Sequence, residues 1–262
     1  MREPGAVPSS GAHSRAFVVG WGEVGRRLGD ALARLGVEVV PVTRTDGWSR
    51  AASNEDGLRV VCVREDDLPD ALERLAAVPA DRLVTVQNGW VREILPPGST
   101  RGLIWFTSKG DFFRPLRPSP FCGPAAGTLV DALGAVDIPA IAVDPPRFDP
   151  LDADKMGFNC VVGLPLAVHG VSLGRYLETN EDEARSVFRE AVETCCLATG
   201  CQPPEGAWEA FVASVEPLHW VTASKAKALE WRNGAVVRLA DLHGGDATTN
   251  RRLLMRASDA GA

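Results

Sequence analysis

Apolar residues gather in short runs over the first half of the chain and recur at helical spacing over the second. Ala16–Val19, Val37–Val42, Leu58–Val63 and Leu83–Val86 are such runs. Runs of this length suit strands of a sheet covered on both faces. Leu103–Phe106 predicts a fifth strand, and Ala140–Val143 predicts the one that closes the sheet. Between them Val24, Leu28, Ala31, Leu32 and Leu35 keep helical spacing, as do Leu68, Leu72, Leu75 and Ala76, so each set forms one stripe of a helix. Gly36 is placed to end the first helix, and Asp66, Asp67 and Pro69 to start the second. Gly127–Leu133 predicts a third helix. Thr45–Gly57 is polar and reads as a loop. Gly110–Pro120 reads as a loop or edge hairpin, since Pro115, Pro118 and Pro120 exclude a central strand.

The pattern changes near Asp144-Pro145-Pro146. From Leu151 onward it predicts helix after helix and no strand. Asp152 is placed to cap the first of these. Asn180 followed by Glu183 is a capping box, opening a helix with Ala184, Val187, Phe188, Ala191, Val192 and Cys195 on one face. Ala210–Val215, Leu218–Arg232 and Val236–Leu239 predict further helices, with Asn233-Gly234 as a break. Trp220 and Trp231 are expected in helices that face a cleft, as core or as pocket lining.

The turn between the first strand and helix reads Gly20-Trp21-Gly22-Glu23-Val24-Gly25, a complete G-x-G-x-x-G. Strand, glycine turn, helix and strand within about thirty residues form the context of a dinucleotide site. Gly20 allows the tight turn, Gly22 lets the backbone approach a pyrophosphate, and Gly25 lets the helix lie close to the strand. The helix N-terminus then offers N–H groups and partial positive charge to the anion. The next strand ends in Thr43-Arg44, where an NAD site usually places an acid. A hydroxyl and a guanidinium suit a 2′-phosphate, so the cofactor read here is NADP(H). Glu23 argues the other way unless its carboxylate points away. The expected class is α/β: a leader at 1–14, a Rossmann domain with a doubly wound, mostly parallel sheet at 15–146, a smaller all-helical domain for substrate and oligomerisation at 147–255, and a tail at 256–262. Arg64 and Asn88 fall just past strand ends, on the rim where such sheets bind ligands.

The 262 residues, 45% hydrophobic and 24% charged, describe an ordinary soluble protein able to bury a core. A net charge of −6 gives no reason to expect nucleic acid or an anionic membrane as partner. No apolar run approaches a membrane span, and Met1–Ser14 lacks the apolar core of a signal peptide. Six cysteines without framework spacing suit reduced thiols in the cytoplasm. Cys195, Cys196 and Cys201 lack paired C-x-x-C spacing and read as core packing, with no metal site. His169, His219 and His243 have no partner motif and read as structural. Ser224–Lys227 spells S-x-x-K without its companion motifs and reads as chance.

Lys155 and Asn159, four apart, share a helix face. A cation and an amide there can protonate and orient a carbonyl, although spacing alone favours a solvated lysine. Together with Gln87-Asn88-Gly89, Lys155-x-x-x-Asn159-Cys160 and Asn233-Gly234, the glycine turn makes the chain resemble the ketopantoate reductase family from Ala16 to about Leu254. That resemblance implies an NADPH-dependent reductase with a Rossmann domain followed by a helical one. It implies Lys155 as general acid, Asn159 as substrate ligand, Asn88 beside nicotinamide and substrate, and Arg64 in place of a lysine that faces the cofactor. Three positions depart. Gly163 replaces a repeated asparagine, Ala228 replaces a glutamate with Glu230 a weak substitute, and the substrate-binding serine falls near Ser214–Glu216. The expected function is therefore NADPH-dependent reduction of a small C=O or C=N compound other than ketopantoate. The alternative is a non-redox descendant of the same fold, a binding protein or a cofactor-independent enzyme. Its expected partner is a small molecule, and a homodimer is allowed.

Overall fold

The computed structural model describes residues 13–109 and 112–259, so all but the end of the leader at 1–14 lies outside it. The chain divides into two compact units. The first contains β1 (Arg15–Val19), α1 (Glu23–Arg34), β2 (Glu38–Val42), α2 (Trp48–Ala51), β3 (Leu58–Val61), α3 (Leu68–Arg74), β4 (Leu83–Thr85), β5 (Thr100–Gly102), β6 (Phe106–Lys109), β7 (Phe112–Pro115), β8 (Ser119–Cys122), α4 (Ala126–Gly134) and β9 (Ala140–Ala142). Seven strands form one sheet in the order β2-β1-β3-β4-β5-β8-β9. The strands from β2 to β5 are parallel, β8 runs antiparallel to β5, and β9 runs parallel to β8. Val19 lies opposite Val42 and Val61, and Val61 opposite Thr85. Four strands therefore end level, and the chain leaves them at one edge of the sheet. Leu28, Ala31 and Leu32 of α1 and Leu129 and Leu133 of α4 pack with Val18, Val60 and Val84 into one apolar core.

Three expectations for this unit change. The apolar run Leu103–Phe106 is buried but does not pair in the sheet; the fifth strand is Thr100–Gly102. Leu103 N donates to Pro120 O at 3.0 Å and Trp105 N to Ser119 Oγ at 2.9 Å, while Phe106 opens the separate strand β6. The apolar pattern reports burial and is silent about pairing. Pro120, read as excluding a central strand, stands in β8 between β5 and β9. The ladder with β5 has its last pair at Gly102 and Phe121; at the next position Pro120 accepts from Leu103 N but has no N–H to return, and the pairing stops there. The polar stretch Thr45–Gly57 contains α2 and is held by Arg59 of β3. The buried guanidinium of Arg59 donates to the carbonyls of Ala51 (2.8 Å), Ser53 (2.6 Å), Glu55 (2.8 Å) and Gly57 (2.7 Å). β6 and β7 pair antiparallel apart from the main sheet, so the hairpin starts at Phe106, before the stretch 110–120 read as loop or edge hairpin.

The second unit contains α5 (Pro145–Val161), α6 (Leu164–His169), α7 (Leu173–Thr179), α8 (Glu181–Thr199), α9 (Ala207–Val215), α10 (Asn233–His243) and α11 (Thr248–Asp259). It also claims two loops from earlier in the chain, Arg64–Asp66 and Gln87–Ile94. The division is thus not a single cut near 146, and α11 runs through part of the expected tail. Ala184, Val187, Phe188, Ala191, Val192 and Cys195 are all buried, as their spacing predicts. α8 packs along α5 at close range: a Cβ at Gly157 would stand 2.7 Å from the Phe188 ring.

Local signals fared less well here. Asn180 stands at the N-cap of α8, but no capping box closes. Its amide donates to Thr179 Oγ1, while Glu183 is drawn to His169 Nε2 at 2.7 Å and the Tyr176 hydroxyl at 3.2 Å. With Arg252 Nη2 also donating to it at 3.0 Å, that carboxylate is taken up away from the N-cap. Asp152 caps nothing, because α5 begins at Pro145 and carries Asp152 buried in its interior. Leu218–Arg232 is not a helix. It holds short turns at Glu216–Leu218 and Leu229–Trp231 joined by irregular chain, with Ala228 in the left-handed region at φ +50°. Trp220 is accordingly 54% exposed. Among the described residues no helix is long and apolar enough to cross a membrane.

One buried carboxylate ties the helices together. Glu190 of α8, 1% exposed, accepts from Thr249 N (2.8 Å), Asn250 N (3.0 Å) and Asn250 Nδ2 (2.9 Å) at the start of α11. Asn233 Nδ2 donates to Asn250 Oδ1 at 2.8 Å and to Cys160 O at 3.2 Å, extending the network to α10 and α5. Glu190→Ala would leave these buried donors without an acceptor. It should cost about 3 kcal/mol and lower the unfolding midpoint by several degrees, measured by thermal melting of the full chain.

Candidate functional site

The glycine turn separates into residues the fold requires and one it does not. Gly20 has φ +96°, and a Cβ there would stand 2.9 Å from the backbone of Cys62. A Cβ on Gly25 would stand 2.0 Å from Gly20 O, so α1 lies against β1 only because position 25 is glycine. Gly22 differs. Its φ of −87° is open to any residue, and a Cβ there would meet nothing within 4 Å. The chain's own packing does not call for glycine at 22. The space beside it, at the N-terminus of α1, fits the close approach of a pyrophosphate.

Glu23, which would repel that anion, is engaged elsewhere. Ser108 Oγ donates to Glu23 Oε2 at 2.9 Å and accepts from Arg27 Nε at 3.1 Å. The Arg27 guanidinium lies 4.1 Å from the ring centre of Phe113 on β7. The hairpin thus turns the acid along the helix. Thr43 and Arg44 are exposed at the end of β2, where Thr43 N donates to Asp46 O at 3.0 Å. Arg64 is exposed as well.

In the second unit the structure brings two of the expected residues, Asn88 and Asn159, into contact and buries a third, Lys155, one turn earlier on the same helix. Lys155 and Asn159 lie on α5 and are 4% and 5% exposed, which rules out the solvated lysine. Lys155 Nζ stands 4.5 Å from the ring centre of Phe158. Asn159 Nδ2 donates to the backbone carbonyl of Asn88. That loop is held at two further points. The carboxylate of Glu65 accepts from the backbone N–H of Asn88, and Trp90 N donates to Trp231 O at 2.7 Å. Gly89 permits the approach, since a Cβ there would stand 2.7 Å from Trp231 Cβ. With its backbone pinned, Asn88 keeps Oδ1 buried and without a hydrogen-bond partner, an acceptor suited to a donor on a bound ligand.

Two residues of this cluster were not among the expected ones. Glu65 is 7% exposed and pairs with Arg232 Nη2 at 2.8 Å. Burial by itself would raise the Glu65 carboxyl, but the Arg232 guanidinium and the N–H groups of Glu65 and Asn88 outweigh it and hold the carboxyl below its ordinary 4.5. Glu230, the weak substitute for the acid missing at Ala228, is exposed. The buried acid beside Asn88 comes instead from the loop after β3. An acid following Arg64 and a base preceding Asn233 are the only signals in the sequence, and no spacing rule links positions so far apart. Ser214 is buried with its hydroxyl on Phe211 O at 2.8 Å, and Gly163 stands at the break between α5 and α6. Among the described residues no three His, Cys, Asp or Glu side chains are grouped to hold a metal ion.

A group whose folded pKa is lowered stabilises the fold above its unfolded value, and the effect fades as pH falls through the folded value. Glu65→Gln should therefore cost about 2 kcal/mol at neutral pH, moderated by the partial exposure of Arg232. The melting gap between this variant and the unaltered chain should be constant down to about pH 4.5 and shrink below it. A gap that persists into stronger acid would assign the loss to packing.

No family model matches the sequence, and no curated relative does. Solved structures do match. A PanE/ApbA family ketopantoate reductase from Ralstonia eutropha JMP134 superposes with a TM-score of 0.70 at 20% identity, over 91% of this chain and 95% of that one. 2-Dehydropantoate 2-reductase from Methylococcus capsulatus gives 0.72 at 18% identity, over 94% and 97%. D-mandelate dehydrogenase, in a ternary structure with NADH and anilino(oxo)acetate, gives 0.73 at 14% identity, over 94% and 97%. An N-terminal Rossmann domain followed by a helical unit is thus the fold that this chain has in common with the ketopantoate reductases and D-mandelate dehydrogenase.

Proposed function

We propose that the chain is an NADPH-dependent reductase of a small keto compound, or of a related C=O or C=N group. The observation that carries this reading is the buried Lys155, one helical turn from the Asn159 that holds the Asn88 loop. The similar structures support it, since they include ketopantoate reductases and a dehydrogenase solved with NADH. Gly20, Gly22 and Gly25 would hold the pyrophosphate, Thr43 and Arg44 the 2′-phosphate, and Arg64 would face the cofactor. A reduced nicotinamide, when bound, supplies hydride. Lys155 donates a proton from Nζ to the carbonyl oxygen as negative charge develops there. Asn159 and the Asn88 amide orient the substrate. Ser214, Gly163 and Ala228 offer little to grip ketopantoate, so another small carbonyl compound is the substrate. A dimeric ketopantoate reductase from Staphylococcus aureus is among the similar structures, and we extend a homodimer and a cytoplasmic setting to this chain as part of the same reading. Gly163 and Ala228 also favour a second reading, a binding protein or cofactor-independent enzyme without hydride transfer.

Nucleotide binding separates the two. NADPH should raise the melting temperature more than NADH, by mass action on the folded state, and Arg44→Asp should reverse the preference. Gly22→Ser should leave the unliganded melt unchanged, because serine is an accepted N-cap and space is open there. The same change should weaken NADPH binding at least tenfold by intruding on the pyrophosphate, a loss of about 1.4 kcal/mol or more. If neither dinucleotide shifts the melt at millimolar concentration, the reductase reading fails.

Turnover of the keto acid that proves active should fall about 10²–10⁴-fold in Lys155→Ala, with the NADPH-induced melting shift retained. Lys155→Arg should rescue little, since a guanidinium hardly releases its proton. Activity within about threefold of the unaltered chain would remove Lys155 from the chemistry.

A further inference from the structure

α8 ends in a left-handed turn at Gly200, φ +73°. Cys201 N then donates back to Cys196 O at 3.1 Å. This is the bond of a Schellman motif, which brings the residues on either side of the turn into side-chain contact. That contact is usually hydrophobic. Here both partners are cysteines, and their sulfurs stand 3.1 Å apart. Neither is in a disulfide. Cys196 is buried and Cys201 partly exposed, and an open cavity of about 400 Å³ reaches both between Glu193, Leu197, Gly200 and Pro203.

We propose that Cys196 and Cys201 form a dithiol site that low-molecular-weight disulfides oxidise to an intramolecular disulfide. The Cys201 thiolate attacks one sulfur of the reagent, whose S–S bond breaks and releases one thiol. The Cys196 thiolate then attacks the Cys201 sulfur, forming the internal bond and releasing the second thiol. The two cysteine protons end on the two released thiols; the cysteines are oxidised by two electrons and the reagent is reduced by two. Burial foremost, and then the contact with Cys201, push the Cys196 thiol up, which suits it to the second, intramolecular step, where proximity offsets a small thiolate fraction. The sulfurs must close to about 2.05 Å, a movement that the turn after α8 can absorb.

The test is to incubate the reduced full chain with oxidised glutathione at mildly alkaline pH, then titrate thiols in denaturant and measure intact mass. Two titratable thiols should disappear and the mass should fall by two hydrogens, with the link mapped between 196 and 201. Cys195→Ser should behave alike. Cys201→Ser should lose no thiol pair, and Cys196→Ser should stop at a glutathione adduct on Cys201. Melting curves matching the unaltered chain would show both variants folded; Cys201→Ala is the second variant should serine perturb the turn. An unchanged thiol count, a persistent glutathione adduct on the unaltered chain, or a thiol loss that survives in Cys201→Ser would each overturn the proposal. None of these outcomes depends on whether the chain binds a dinucleotide.

Discussion

The hydrogen bond from Asn159 to the carbonyl of Asn88 is the contact on which the candidate site depends. It takes a loop that follows a strand of the sheet and gives it to the helical unit. A loop after a strand has free backbone groups and no reason to keep one conformation. Here three of them find partners: the Asn88 N–H on Glu65, its carbonyl on Asn159, and the Trp90 N–H on Trp231. What is left over is the buried Oδ1 of Asn88, which has no hydrogen-bond partner. Pinning the backbone while leaving the amide unmatched is how a site is made ready for a ligand, because the ordering cost is met before binding.

The acid in this cluster, Glu65, is buried and depends on its partner. A carboxylate buried beside an asparagine loop needs a compensating cation, or it takes up a proton. Glu65 has one in Arg232, and the pair fastens the loop after β3 to the chain just before α10. Ala228, where the resemblance places an acid, adopts a left-handed backbone at the start of a short turn. An acid carried there would present its side chain from an irregular segment, not from a helix face. The same logic applies to Glu23, which is compatible with an anion site only because Ser108 and Arg27 turn it aside.

How much of this the residues announced in advance follows from the range of each interaction. Periodicity located the sheet strands β1 to β4, helix α1 and the buried face of α8, because burial along an element repeats at its own pitch. The glycine turn was legible because its demands are local: a positive φ at Gly20 and a missing Cβ at Gly25. The placing of Lys155 and Asn159 on one face of α5 was legible for the same reason, a helix repeat of four residues. Some expectations failed where the fold supplied a partner or a neighbour that local spacing cannot show. Glu183 left its capping box for His169 and Tyr176, Pro120 stands where the ladder with β5 stops, and the apolar run at Leu103–Trp105 found its hydrogen bonds on the chain around β8.

The amino-acid sequence by itself determined the alternation of strand and helix, the glycine turn between β1 and α1, and the placing of a lysine and an asparagine on one helix face. Only the tertiary structure decided that this lysine is buried, that Asn88 is pinned and Asn159 pins it, and that Glu65 and Arg232 supply the ion pair beside it. The reason is physical. Local conformation depends on residues a few positions apart, whereas burial and charge compensation depend on chain segments that meet only after folding, such as Glu65 and Arg232 across 167 positions.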